Sequence, residues 1–172
     1  RGLIDEIELR SFELENRSVV DFTAVYRNKT ELSARAAVRF FELDSGDPLR
    51  LKYDAFVTAE SDWLEGFVLY SALKASFGGV GWTDWPEPLR QREPSALAQA
   101  VHDLDVELEQ VRFEQFLLRE QWDSVRATAR RLNICIVGDL PIFVAHDSAD
   151  VWCERGLFRR NDDGSPSFVA GV

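Results

Sequence analysis

Ile134-Cys135-Ile136-Val137-Gly138-Asp139-Leu140-Pro141-Ile142-Phe143-Val144-Ala145-His146-Asp147-Ser148-Ala149-Asp150-Val151-Trp152 is the stretch that decides how this chain is read. Residues 134–137 are a short apolar run of strand type, closed by Gly138-Asp139. A second apolar run follows and ends in the polar knot His146-Asp147-Ser148-Ala149-Asp150. Carboxylates just past the C-terminal end of a buried parallel strand are how barrel-type α/β enzymes present chemistry to a substrate.

Working backwards, helical character runs from 95 to 131, with a bend near 103–105. Val111, Gln115, Leu118, Trp122, Val125 and Ala129 recur at three- and four-residue spacing and predict one helix face. Phe113, Phe116 and Leu117 widen the apolar side. Arg130 and Arg131 suit the C-terminal end of the helix dipole, and Asn133 lets the chain turn into the strand. Helix, turn, strand and polar loop make half of a βαβ unit. Working forwards, residues 161–165 carry a turn signal, and Asp147–Trp152 predicts a short turn or helix start.

Residues 82–94 read as a loop holding Trp82, Trp85, Pro86, Pro88 and Pro94. Its tryptophans either stack on sugar rings or pin the loop to a helical core, and burial is the favoured reading. Residues 61–75 predict a helix capped by Ser61 and ended by Gly78-Gly79. Residues 31–43 predict another, broken by Ser45-Gly46-Asp47-Pro48. Residues 19–26 read as a short strand or a loop.

The order of these residues resembles the 4-α-glucanotransferases, also called amylomaltases or disproportionating enzymes. The resemblance rests on Gly138-Asp139-Leu140-Pro141-Ile142-Phe143-Val144-Ala145, on Asp147 to Trp152, and on Leu157-Phe158. It extends to Asn161-Asp162-Asp163-Gly164 and Val169-Ala170-Gly171-Val172. Upstream it includes Tyr53-Asp54-Ala55-Phe56, Trp63-Leu64, Ala72-Leu73-Lys74, Trp85-Pro86-Glu87-Pro88-Leu89-Arg90, Gln115-Phe116-Leu117 and Gln121-Trp122. It is good from residue 53 to 172 and weak from 1 to 47.

The resemblance implies an α/β fold, a partial (β/α)8 TIM barrel carrying a mainly helical insertion subdomain. The expected division is 1–105 for the insertion and 106–172 for one helix–strand unit of the barrel with its active-site loop. It implies transfer of α-1,4-glucan segments between maltooligosaccharides by a retaining double displacement, with no cofactor. Such chemistry uses one carboxylate as nucleophile and one as acid/base. In the family both lie on later barrel strands, so no catalytic residue is assigned here.

One sugar-contacting position carries over, to Asp147. The family's aspartate there faces the glucose ring beside the cleaved bond; the competing reading makes Asp147 a cap on the following turn. Asp139 reads as a rim residue held by backbone hydrogen bonds, with direct sugar contact as its second role. His146 either reaches a sugar or is a bystander on the rim, and Trp152 either stacks on a glucosyl unit or is buried. Asp150 reads as a solvated or capping carboxylate. His146, Asp147 and Asp150 lack the ligand spacing of a metal site. Nucleotide-binding glycine motifs and a nucleophile elbow are absent.

Composition bounds the alternatives. Twenty Lys and Arg against thirty Asp and Glu give a formal charge of −10, which argues against nucleic acid and anionic membranes as partners. No apolar run approaches a membrane span. Cys135 reads as a buried small hydrophobe and Cys153 has no evident role; two distant cysteines make no disulfide framework, which fits a cytoplasmic enzyme. A barrel needs about 250 residues, whereas this chain has 172, no methionine and Arg at its start. The expectation is a piece of a longer protein, inactive by itself, with an unpaired strand edge. A glucan-binding module using Trp82, Trp85, Asp147 and Trp152, a non-functional remnant, and a hydrolase of related specificity remain as alternatives. Oligomeric state is not legible.

Overall fold

The computed structural model describes residues 2–12, 19–161 and 163–168. The Val169-Ala170-Gly171-Val172 block and Asp162 therefore lie outside the described residues. The chain divides into two compact units, Arg1–Thr58 and Ala59–Val172. The division expected at 105/106 falls at the junction of two helices inside the second unit.

In the first unit, α1 spans Glu6–Ser11, α2 Phe22–Phe41 and α3 Pro48–Ala59. Asp5 and Glu8 form a capping box at the start of α1, in which each side chain satisfies a backbone N–H that the helix leaves free. Glu8 also accepts two hydrogen bonds from the Arg39 guanidinium, one at 2.7 Å. Arg39 and the Asp5 backbone hold the Glu8 carboxyl at a pKa of about 2. The strand-or-loop reading of residues 19–26 is corrected: α2 already begins at Phe22. The Asp21 carboxylate accepts from the Ala24 N–H at 3.0 Å, and this cap starts a helix despite the β-branched residues beside it. Arg50 lies over the rings of Phe40, Phe41 and Tyr53 at 5.0, 5.0 and 5.8 Å. The guanidinium thus meets the negative faces of an aromatic cluster.

The second unit is built around α4, Ser61–Ser76. Leu64, Val68, Leu69, Tyr70, Ala72 and Leu73 are buried, so α4 is covered on more than one side, as an all-round apolar helix must be. Ser61 is its first residue rather than its cap, and Glu60 holds the cap position without a side-chain bond. A 3₁₀ turn at Trp82–Asp84, α5 at Glu87–Arg90, α6 at Pro94–Asp103 and α7 at Asp105–Arg131 follow. The expected bend falls at Leu104, between α6 and α7. The short α8 is Ala149–Cys153, and a 3₁₀ turn follows at Arg155–Leu157. Helices α7 and α8 both pack on α4.

Three of these helices end in the same way. The N–H groups of Gly79, Glu93 and Ile134 reach back 2.8 Å to the carbonyls of Lys74, Pro88 and Ala129. Each closure needs a left-handed residue just before it, supplied by Gly78 (φ 68°), Arg92 (φ 59°) and Asn133 (φ 56°). Glycine and asparagine take that conformation readily; arginine does not.

Two expectations change. The predicted α7 face holds in part: Leu118, Trp122 and Val125 are exposed, while Ala129 and the flanking Phe113 and Phe116 are buried, joined by Leu108. The strand of the expected partial barrel does not form among the described residues. Among the described residues there is no strand, only an isolated antiparallel bridge between Arg160 and Pro166. Residues 134–145 have no regular structure and are exposed, Cys135 included. A strand exists only through hydrogen bonds to a neighbour, and none of the described residues provides one.

Candidate glucan-facing site

The site grows from the far end of α4. Tyr70 and Lys74 are four residues apart, hence one above the other on the same helix face. Both reach the same carboxylate: the Tyr70 hydroxyl donates to Asp147 Oδ1 at 2.7 Å, and Lys74 Nζ donates to Oδ2. The Trp82 backbone N–H adds a longer contact to Oδ1 at 3.4 Å.

Asp147 does not cap α8. That role falls to Ser148, whose Oγ accepts the Val151 N–H at 3.3 Å. Asp147 is left free for the cluster. The Lys74 and Asp147 side chains keep 28% and 44% of their surface exposed, so the pair stands at the boundary with water. Burial pushes the Asp147 carboxyl upward. The hydrogen bonds from Lys74, Tyr70 and the Trp82 backbone, together with the Lys74 charge, outweigh it and hold the group below its ordinary value. Tyr70 moves the other way: burial and the adjoining Asp147 carboxylate push its hydroxyl well above the usual phenol range. The site therefore presents a carboxylate ionised at neutral pH, a neutral phenol and an ammonium group. Such a set can accept from and donate to sugar hydroxyls.

Three aromatic residues form the support. Trp82 is fully buried; its indole N–H donates to the His146 carbonyl at 2.8 Å, and its ring meets the His146 ring at 5.3 Å. Trp85 and Trp152 pack edge to face at 5.5 Å, and both touch the Tyr70 ring. The favoured burial of Trp82 and Trp85 matches this arrangement, with exposures of 0% and 3%.

The four residues named from sequence separate here. Asp147 and His146 lie together at the end of α4. The His146 Nε2 is buried and has no hydrogen-bond partner among the described residues. Asp139 is exposed within the irregular segment and is not part of the cluster. Of the two readings of Trp152, the structure has the buried one: its ring is 0% exposed, its N–H donates to the Leu89 carbonyl at 3.1 Å, and the Arg92 guanidinium lies 4.1 Å from the ring centroid. Trp152 braces Tyr70 instead of facing solvent.

Sequence reasoning missed Tyr70 and Lys74 as site residues. Their four-residue spacing on an apolar helix was the available signal, because a charged group on a helix buried over most of its surface needs a partner. Among the described residues, no group of three His, Cys, Asp or Glu is arranged to hold a metal ion, and no helix is long and apolar enough to cross a membrane.

Comparison with known proteins places these residues in context. A family model described as 4-alpha-glucanotransferase matches residues 2–172. A 4-alpha-glucanotransferase of Thermus thermophilus is 40% identical over 153 residues, 89% of this chain and 30% of that protein. A chloroplastic/amyloplastic 4-alpha-glucanotransferase of Oryza sativa subsp. japonica is 39% identical over 174 residues, 99% of this chain and 28% of that protein. Among solved structures, an amylomaltase from Streptococcus agalactiae in complex with acarbose superposes with a TM-score of 0.87 at 27% identity, covering 99% of this chain and 34% of that one. The chain thus spans about 30% of the length of the curated relatives it matches.

Proposed function

The chain belongs to the 4-alpha-glucanotransferase family, and from that premise we propose that it forms part of an enzyme moving α-1,4-glucan segments between maltooligosaccharides. The observation that carries the reading is Asp147. It is an ionised, partly exposed carboxylate held by Tyr70 and Lys74, at the position the sequence assigned to sugar contact. A glucose hydroxyl would donate to its free lone pairs, and such bonds strengthen as the ring distorts toward an oxocarbenium-like state. Asp139 orients the rim, and Trp152 acts through Tyr70 rather than through sugar.

In this reading residues 134–137 become a parallel barrel strand once paired. The exposure of Ile134, Ile136 and Val137, at 57%, 45% and 87%, supports that, because apolar strand residues of this kind are buried on both faces of a parallel sheet. The nucleophile and the acid/base lie elsewhere in the whole protein, and the reaction calls for no cofactor. Both cysteines are free, which fits work in the reducing cytoplasm.

The test uses the whole protein and a maltooligosaccharide donor. Longer glucans among the products indicate transfer; only shortened ones indicate hydrolysis. Replacing Asp147 by Asn should lower kcat/KM by about tenfold or more, the range expected for one charge-assisted hydrogen bond. Unchanged kcat/KM in a folded D147N protein would remove Asp147 from the substrate site.

A further inference from the structure

Away from Asp147, four arginines converge near the end of α5. Arg90 closes α5, Arg92 follows it, and Arg155 and Arg160 come from the chain beyond α8. They are linked through neutral acceptors. Arg155 Nη2 donates to Gln91 Oε1 at 2.8 Å, and Arg160 Nη2 to the Arg155 carbonyl at 3.2 Å. Arg90 Nη1 donates to the Thr83 carbonyl and Arg92 Nη1 to Cys153 Sγ. The ion pairs of this unit use Lys74, Arg112, Arg119 and Arg126; none joins the four arginines among the described residues. The Nε atoms of Arg90 and Arg155 are buried with no partner.

This is an unusual concentration of positive charge in a chain with a formal charge of −10. Burial, then the charges of Arg160, Arg92 and Arg90, push Arg155 below the ordinary guanidinium range. Asp163 feels the charge of Arg90, and its carboxylate accepts from the Ser165 N–H and Oγ. Arg92 holds a left-handed backbone that glycine would adopt at lower cost, while its guanidinium lies flat on Trp152 and fixes the floor of the cluster.

We propose that Arg90, Arg155 and Arg160 form a binding site for a phosphate dianion, free or as the monoester of a sugar. A neutral glucan cannot neutralise three guanidiniums. A tetrahedral dianion offers several oxygens to planar donor forks and removes their mutual repulsion. The site is separate from the Asp147 cluster and does not depend on its role in sugar binding.

Isothermal titration calorimetry of the whole protein, with inorganic phosphate and with a hexose monophosphate at constant ionic strength in chloride, tests this. Saturable one-site binding is expected, weakened about tenfold or more in R155Q and in R160Q. The unliganded variants should melt no lower than the parent, since each removes repulsion; a merely structural arginine would lower the melting temperature. Tighter binding of the hexose monophosphate identifies a sugar ester as the ligand, and equal binding identifies free phosphate. Among the described residues the Arg160 side chain donates only to the Arg155 backbone carbonyl, so R160Q remains informative if R155Q does not fold. Absence of binding by both probes, or binding unchanged in the folded variants, would overturn the proposal.

Discussion

Gly66 lies in the middle of α4, where glycine costs a helix about 1 kcal/mol relative to alanine. The structure gives a reason for tolerating that cost. A Cβ at Gly66 would stand 2.8 Å from Cys153 Sγ, well inside the roughly 3.5–4.0 Å of a comfortable contact. The sulfur is also not free to swing away without loss, because Arg92 Nη1 donates to it at 3.4 Å. Gly66→Ala therefore combines a helix gain of about 1 kcal/mol with an overpacking cost of about 1–3 kcal/mol. The expected net is a destabilisation of about 1 kcal/mol. Cys153→Ala removes the sulfur and leaves Cys153 Cβ 3.8 Å from the new methyl, an ordinary contact. In that background Gly66→Ala should stabilise the protein by up to about 1 kcal/mol. The sign reversal is the prediction, and the coupling across the double-mutant cycle should fall at about 1–3 kcal/mol. Denaturant unfolding followed by tryptophan fluorescence reads it, because Trp63, Trp82, Trp85, Trp122 and Trp152 all lie in the second unit. An equal effect of Gly66→Ala with and without the sulfur would refute the argument that α8 packing requires this glycine.

Three further outcomes follow from other contacts. Glu8 has its folded pKa depressed from 4.5 to about 2, so its contribution is present above pH 4.5 and lost as pH falls toward 2. Acid unfolding followed by circular dichroism should therefore be flatter through that window in Glu8→Gln. Lys74→Met removes the cation beside Asp147, so the Asp147 carboxyl pKa should rise; an NMR titration showing no movement would mean that Lys74 does not hold it. Asn133→Gly should leave the end of α7 intact and change stability by no more than about 1 kcal/mol, because glycine also adopts the left-handed conformation. Loss of α7 helicity in that variant would show that the asparagine side chain is needed for the turn.

What was legible locally was legible for local reasons. The end of α4 at Gly78-Gly79 and the turn at Asn133 follow from which residues tolerate a positive φ. The bend expected near residues 103–105 falls at Leu104, whereas the cap read at Asp147 belongs to Ser148. The strand-or-loop reading of residues 19–26 failed because one carboxylate, Asp21, outweighed the β-tendency of its neighbours. The face of α7 was read in part: Phe113, Phe116 and Ala129 are buried, whereas Leu118, Trp122 and Val125 are exposed, because period alone does not say which of two overlapping apolar stripes meets a partner.

The sequence by itself determined the family of this chain and the polar knot from His146 to Asp150 that marks it. Only the tertiary structure decided what surrounds the Asp147 carboxylate. Tyr70 and Lys74 stand 77 and 73 residues away from it in sequence, and no local pattern links groups so far apart. Packing of α8 on α4 brings them together, buries Trp152 behind them, and leaves residues 134–145 without a partner. Helices and turns follow from interactions between near neighbours; a charge cluster and a strand follow from which distant segments meet.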